Sequence, residues 1–286
     1  MKNKNIGVFD SGVGGLTVVK RLIELLPNEN IIYFGDTARV PYGPRSNSTI
    51  LRYALQDINF LKSQDIKIII AACGTVSSVF FKNNINNFYF KDFFFTGIIE
   101  MAAKKAVAIT KNKNIGIIGT KATIKSKSYE TYIKNLDSKI KTYSVACPLF
   151  VSIIEENLFN NRIDITNKII DLYLKDLKKS NIDTLILGCT HYPLIKDLIL
   201  NYFDNKIKIV DPGVEIAKFT KSYLTQNNLI NNNINKNNIK FFVSDSVDNF
   251  KNIAKSFLNI DLINQVRLIN LENLENADKN FYPRPS

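Results

Sequence analysis

Short apolar runs alternate along the chain with longer segments in which apolar residues recur every three to four positions. The short runs are typical of buried strands, and the longer segments are typical of amphipathic helices. The predicted strands cover residues 5–9, 31–34, 67–72, 93–96, 114–118, 140–145, 184–187, 206–210 and 240–243. The predicted helices cover residues 16–26, 49–63, 123–136, 165–178, 194–203, 214–225 and 247–257. This alternation predicts an α/β protein with mostly parallel sheets flanked by helices.

Two segments depart from this pattern. Residues 227–238 are rich in asparagine and predict a surface loop. No clear periodicity follows Asp261, and residues 281–286 are expected to form a frayed tail.

The composition is that of a folded globular protein, because 45 % of the 286 residues are hydrophobic. The formal net charge is +12, but the basic residues are scattered singly, so nucleic-acid binding is not expected as a main function. No apolar run approaches the roughly 18 residues of a membrane span, and no signal-peptide pattern is present. We therefore expect a cytoplasmic protein with reduced thiols and no membrane partner.

Two of the three cysteines come directly after buried-strand patterns. Cys73 follows the apolar run 68–72, and Cys189 follows the run 185–188. Ligands of parallel sheets bind at the carboxyl ends of the strands, so these thiols are expected to meet across one cleft. Two thiols in such a cleft suit an enzyme that removes a proton from one face of a carbon and returns one to the other face.

Each of these residues also has a simpler interpretation. Free cysteines are usually buried as small hydrophobes, and this interpretation is kept for Cys147. His191 is the only histidine, and together with Cys189 it is too small a set for zinc, so no metal is expected. A nucleophilic Cys189–His191 pair is conceivable, but residues two apart on a helical turn are not expected to face each other. His191 is therefore expected to bind a substrate group or to tune a thiol.

Two loops carry further candidates for substrate contact. Asp10 and Ser11 begin a glycine-rich turn that lacks the lysine of a phosphate-binding loop. Its glycines serve either a tight turn or a substrate carboxylate that accepts backbone N–H groups. Asp36 is either a turn acid or a ligand-binding acid, and the turn 41–43 is expected to present the Tyr42 phenol and backbone groups to a ligand. By composition alone, Glu155 is a solvated helix acid.

Taken together, the chain resembles the glutamate racemase family of the cofactor-independent aspartate/glutamate racemase superfamily. The matching segments are residues 7–17, 33–43, 72–75, 116–120, 146–149, 187–194 and 211–213. The resemblance implies two pseudo-symmetric α/β domains with the active site in the cleft between them. Residues 1–98 and 212–286 would form the first domain, and residues 99–211 the second. It also implies a homodimer.

The resemblance further implies cofactor-independent interconversion of L- and D-glutamate, which supplies D-glutamate for peptidoglycan. Cys73 would serve the D-enantiomer and Cys189 the L-enantiomer. Asp10 and His191 would assist these thiols, and Glu155 would be a further acid near the site. The substrate-binding residues implied are Asp10, Ser11, Asp36, Pro41, Tyr42, Gly43, Cys73, Gly74, Thr75, Cys189, Thr190 and His191.

The chain departs from the family pattern at one position beside the first thiol. The family has Cys-Asn-Thr there, whereas this chain has Cys73, Gly74 and Thr75. We therefore expect an active enzyme with an altered grip on its substrate. Two alternatives stay open: a racemase of aspartate or another amino acid, and a binding or regulatory protein that kept the fold and lost turnover.

Overall fold

The computed structural model describes residues 1–83, 88–90, 93–232, 238–258 and 266–270. The strands are β1 (Asn5–Asp10), β2 (Ile31–Gly35), β3 (Ile66–Ala71), β4 (Phe88–Phe90), β5 (Phe93–Gly97), β6 (Asn114–Gly119), β7 (Lys141–Ala146), β8 (Thr184–Gly188), β9 (Lys208–Val210), β10 (Ile239–Val243) and β11 (Val266–Leu268). The helices are α1 (Leu16–Leu25), α2 (Asn47–Lys62), α3 (Gly74–Lys82), α4 (Ile99–Ile109), α5 (Lys121–Ser126), α6 (Ser128–Leu136), α7 (Leu149–Glu155), α8 (Leu158–Asn161), α9 (Ile163–Lys179), α10 (Lys196–Tyr202), α11 (Pro212–Gln226) and α12 (Val247–Leu258). A 3₁₀ helix, η1, spans Tyr192–Ile195.

The described strands form two sheets. The first has the order β11-β10-β2-β1-β3-β5-β4, and its neighbours are parallel except for the antiparallel pair β4 and β5. The second has the order β7-β6-β8-β9 and is parallel throughout. All nine predicted strands are present, and the predicted α/β class with mostly parallel, helix-flanked sheets is confirmed.

The first sheet is built from two separate stretches of the chain. After the second sheet, α11 packs against α1 and α4, and β10 then pairs with β2. In that pair Ile239 lies opposite Ile31. The predicted domain bounds, 1–98 with 212–286 and 99–211, remain a prediction.

The core of the first sheet explains why its strands read as continuous aliphatic runs. Ile68 and Ile70 of β3 face the cluster that includes α1, whereas Ile69 and Ala71 face the cluster that includes α2. Both faces of a parallel sheet are covered, so most strand positions are apolar. Each such side chain contributes on the order of 2 kcal/mol when it is fully buried. Lys67 of β3 is an exception, and its buried ammonium pairs with Glu29.

Several elements differ from the predicted ones. The predicted helix 123–136 is divided into α5 and α6, because Lys127 adopts the left-handed conformation with φ 55°. The sequence pattern predicts no element at the positions of β4, β11, α3, α4, α7 and α8. Of the predicted loop 227–238, residues 233–237 lie outside the described residues, as does the predicted tail 281–286. Among the helices that the structure describes, none is long and apolar enough to cross a membrane.

Candidate active site

The two strand-end thiols reach the same cavity. β3 ends at Ala71, and Cys73 is the N-cap residue of α3. β8 ends at Gly188, and Cys189 begins the turn that leads into η1. Both side chains are 6 % exposed, and both line one cavity of about 480 Å³.

The cavity lies where the carboxyl ends of the two sheets meet. All but two of the predicted site residues line it, and the exceptions are Asp10 and Asp36. Its lining also contains residues that the sequence analysis did not single out: Val40, Pro44, Thr120, Lys121, Pro148, Val151, Ser152 and Gly188. A second cavity, of about 430 Å³, lies beside the Asn-rich segment and contains none of the predicted site residues.

A histidine and a glutamate form a chain of contacts that begins at Cys189. The His191 Nδ1 atom lies 3.8 Å from Cys189 Sγ, and the His191 Nε2 atom lies 2.9 Å from Glu155 Oε1. Burial lowers the pKa of His191, but the contacts with Cys189 and Glu155 outweigh it and raise the pKa to about 10. His191 is therefore a cation at neutral pH, and a cation beside a sulfur favours the thiolate.

This pair corrects one expectation. Cys189 and His191 were expected not to face each other, as on a helical turn. Residues 189–191 instead form a bend and turn that precede η1, so the helical spacing does not apply. The alternative expectation, that His191 would tune a thiol, agrees with its position beside Cys189.

Cys73 has the opposite electrostatic surroundings. Its thiol donates a hydrogen bond to Ser11 Oγ, with a sulfur–oxygen distance of 3.6 Å. Burial and the nearby Asp10 carboxylate raise the pKa of Cys73 to about 12. Cys73 is therefore a protonated thiol at neutral pH, whereas Cys189 lies beside a cation.

Asp10 lies behind the cavity and holds two of its loops together. Its carboxylate accepts one hydrogen bond from the Gly12 N–H at 3.0 Å and another from the Thr190 hydroxyl at 3.2 Å. Burial raises the pKa of Asp10, and this effect outweighs the lowering by His191 and by these hydrogen bonds. The turn after β1 is close to the turn after β8, since a Cβ at Gly14 would lie 2.3 Å from Thr190 Oγ1.

Asp36 does not line the cavity, and the Tyr42 hydroxyl is held by two acids, so their predicted roles in substrate binding stay predictions. Asp36 is fully buried and accepts hydrogen bonds from Arg39, Tyr42 and Ser244. The Tyr42 hydroxyl also contacts Asp57 at 3.2 Å. Tyr42 lines the cavity, whereas the two acids that bind its hydroxyl do not. Asp36 supports the turn 41–43 by accepting the hydrogen bond from the Tyr42 hydroxyl.

A chain of hydroxyl groups joins the two halves of the cavity. Thr75 of α3 lies 3.0 Å from Thr120, and Thr120 lies 3.0 Å from Thr123, measured between their Oγ1 atoms. Thr120 is also the N-cap of α5 and accepts a hydrogen bond from the Thr123 N–H at 3.2 Å. The signal for Thr120 was available, because it follows a strand as Thr75 and Thr190 do.

Cys147, the third cysteine, lies outside the cavity. Cys147 is fully buried, donates to the Val145 carbonyl at 3.7 Å and does not line the cavity, in agreement with its interpretation as a small hydrophobe. In the described part of the chain, no group of three or more His, Cys, Asp and Glu residues is placed to hold a metal ion.

Comparison with known proteins agrees with this geometry. Residues 6–220 match the family model of Asp/Glu/Hydantoin racemases. A glutamate racemase from Thermoanaerobacter pseudethanolicus is 44 % identical over 90 % of this chain and 94 % of that protein. The crystal structure of a glutamate racemase from Francisella tularensis in complex with D-glutamate superposes with a TM-score of 0.86 at 37 % identity, and covers 96 % of this chain and all of that one.

A glutamate racemase isoform from Bacillus anthracis also superposes with a TM-score of 0.86, at 34 % identity over 95 % of this chain and 99 % of that one. An aspartate racemase from Picrophilus torridus, at 21 % identity and a TM-score of 0.55, shares the fold alone. The matched family model covers most of the chain, and the related enzymes align with it nearly end to end. The chain therefore belongs to the glutamate racemase family, within the Asp/Glu/Hydantoin racemases.

Proposed function

We propose that this protein interconverts L- and D-glutamate without a cofactor, by moving the α-proton between Cys73 and Cys189. The observation that supports this proposal most strongly is the pair of thiols in one cavity, each at the end of a strand from a different sheet. One thiol lies beside the His191 cation and the other beside the Asp10 carboxylate. A two-base proton transfer begins with one thiol ionised and the other protonated, and this difference in surroundings favours such a state.

The resting protonation states follow from these surroundings. We assign Cys189 as the base, because its sulfur lies 3.8 Å from His191 Nδ1 and a nearby cation favours a thiolate. Cys73, with its pKa raised to about 12 by burial and Asp10, is the thiol. The Cys189 thiolate takes the α-proton of L-glutamate, and the Cys73 thiol then gives its proton to the opposite face. The product is D-glutamate, with Cys189 left as the thiol and Cys73 as the thiolate. The reverse reaction uses the same groups in exchanged roles.

The carbanion requires stabilisation of the negative charge that develops on the substrate carboxylate. Thr75, two residues after Cys73, and Thr190, directly after Cys189, both line the cavity and carry hydroxyl groups. The N-terminus of α3, which begins directly after Cys73, adds backbone N–H groups and the positive end of a helix dipole. These groups are built into the fold before the substrate arrives, so little reorganisation is required during the reaction.

The substrate is a small amino acid with a second carboxylate. A cavity of about 480 Å³ accommodates a molecule of this size, and exposed Lys121 lines it and supplies a cation for a carboxylate. The relatives named glutamate racemase, and the D-glutamate complex among them, support glutamate over aspartate. A role in supplying D-glutamate for peptidoglycan, a cytoplasmic location, a homodimer and the two domains with the bounds given above are parts of the same proposal.

The experiment that tests the proposal is α-proton exchange in D₂O without added cofactor. L-Glutamate, D-glutamate and aspartate are incubated separately with the wild-type protein and with Cys73→Ala, Cys189→Ala and Cys147→Ala. We expect inversion with deuterium uptake for glutamate only, loss of inversion in the first two variants, and wild-type rates in the Cys147→Ala control. Full inversion in either of the first two variants would refute the two-thiol mechanism. Exchange with aspartate and not with glutamate would show that aspartate is the substrate.

A further inference from the structure

Gly74 lies where the two thiol-bearing strand ends come closest. It follows Cys73 directly, and it approaches Gly188, which directly precedes Cys189. A Cβ atom built at Gly74 would lie 2.5 Å from the Gly188 carbonyl oxygen, whereas real Cβ atoms essentially never come within 3.0 Å of another atom. The next contact outside Gly188 would be an ordinary one, at 3.6 Å from Thr123 Oγ1. The backbone of β8 is therefore what excludes a side chain at position 74.

Backbone conformation does not require glycine at this position. No glycine among the described residues has a positive φ angle, and Gly74 is the first helical residue of α3. An L-residue would adopt the same backbone without strain. The requirement is steric, and it comes from the close approach of two backbones.

Gly188, at the end of β8, is held in place by its neighbours and cannot move away freely from a side chain at position 74. Gly188 pairs with Gly119 of β6, and a Cβ at Gly188 would itself lie 2.7 Å from the Ile118 carbonyl oxygen. The turn that follows is held as well, because Thr17 donates a hydrogen bond to the Thr190 carbonyl at 2.9 Å. A side chain at position 74 would therefore displace the start of α3, and Cys73 with it.

We infer that Gly74 sets the separation of the Cys73 and Cys189 thiols and is a positioning residue for the proton transfer. This inference rests on the proposed function. Any other residue would carry a Cβ that must lie at least about 0.5 Å farther from the Gly188 carbonyl oxygen, the difference between 2.5 and 3.0 Å, and we expect the two thiols to separate with it. The asparagine of the family pattern carries the same Cβ, so in this chain it would widen the cleft before its amide could contact a substrate.

The expected loss follows from the geometry of proton transfer. A misplacement of about 1 Å can lower a rate on the order of 100-fold, so half of that displacement is expected to cost on the order of tenfold. The carbanion would also be reprotonated more often by the thiol that took its proton. Exchange with retained configuration would then rise relative to inversion, which a general loss of stability would not produce.

The test compares Gly74→Ala and Gly74→Asn with a matched control, Gly7→Ala. The control also places a new Cβ in a buried site, but there it meets only side-chain atoms of Leu61, Ile66 and Ile69 at 3.2–3.4 Å. For each protein, kcat and KM are measured with both glutamate enantiomers, together with the ratio of retention to inversion in D₂O. We expect both Gly74 variants to lose about tenfold in kcat, with a smaller change in KM and a higher ratio, and Gly7→Ala to behave as wild type.

Crystal structures of wild-type protein and Gly74→Ala provide a readout that does not depend on activity. We expect the distance between the two Sγ atoms to be longer in the variant, and an unchanged distance overturns the inference. A wild-type kcat and ratio in Gly74→Ala also overturns it, as does a lower KM in Gly74→Asn than in Gly74→Ala with kcat retained. If the wild-type protein does not racemise glutamate, the proposed function fails, and the crystallographic distance alone then decides the inference.

Discussion

The two thiols are expected to differ in reactivity toward an alkylating reagent, although they are equally accessible. Cys73 and Cys189 are each 6 % exposed and line the same cavity. At pH 8, a thiol with a pKa of about 12 is ionised in about one molecule in 10⁴. Its higher basicity makes the remaining thiolate more nucleophilic and offsets part of this deficit. Cys73 is therefore expected to react on the order of 100-fold more slowly than a cysteine of ordinary pKa, and more slowly than Cys189, whose sulfur lies beside His191.

The assay is alkylation with iodoacetamide at pH 8, followed by quenching, digestion and mass spectrometry of the three cysteine peptides. Cys147 serves as an internal control, because it is fully buried and should react last. Each unit of pH is expected to raise the Cys73 rate about tenfold, since pH 8 lies far below its pKa. Equal rates for the two thiols at pH 8, or faster labelling of Cys73, would refute the assignment of resting states.

Three further perturbations test separate parts of the structure. Glu155→Gln removes a carboxylate that raises the pKa of His191, so the alkaline limb of kcat/KM for L-glutamate should move down by about 1 pH unit or more; an unmoved limb would show that the His191 charge is not required. Tyr42→Phe removes one hydrogen-bond donor from the buried carboxylates of Asp36 and Asp57, which keep their contacts with Arg39. It should lower the free energy of unfolding by about 1–3 kcal/mol and raise KM more than it lowers kcat; unchanged stability in urea would contradict this. Lys67→Met leaves Glu29 as an unpaired buried charge and should cost about 3–5 kcal/mol in urea unfolding, whereas a loss below about 1 kcal/mol would show that Glu29 becomes protonated without penalty.

The strands and the position of the cavity were predictable, because both depend on local composition. β3 reads as a strand since all six of its positions are buried, and the thiol after it falls at the binding edge of a parallel sheet. α3 was harder to recognise, because its residues 74–80 are all buried and show no amphipathic period. The break at Lys127 carries no signal either, since lysine has no preference for the left-handed conformation.

The arrangement of the polar side chains was less predictable, because it depends on residues far apart in the chain. Asp36 was read as a possible ligand for the substrate, but it accepts hydrogen bonds from nearby Arg39 and from Ser244, which is 208 positions away. The contact between Cys189 and His191 depends on the shape of a three-residue turn, which spacing alone does not give. The close approach of Gly74 to Gly188 depends on how the two sheets dock.

The backbone repeats the same strand–thiol arrangement on two sheets, but the charges around the two thiols do not repeat. This difference cannot favour one product, because enantiomers have equal free energies in water. The values of kcat/KM in the two directions must therefore be equal, and any asymmetry between the thiols changes kcat and KM together. In the proposed mechanism Cys189 starts as the base and Cys73 as the acid, so L-glutamate meets the form that can react directly. The D-enantiomer must wait for the protons to exchange, so the two directions should differ in kcat and KM by the same factor.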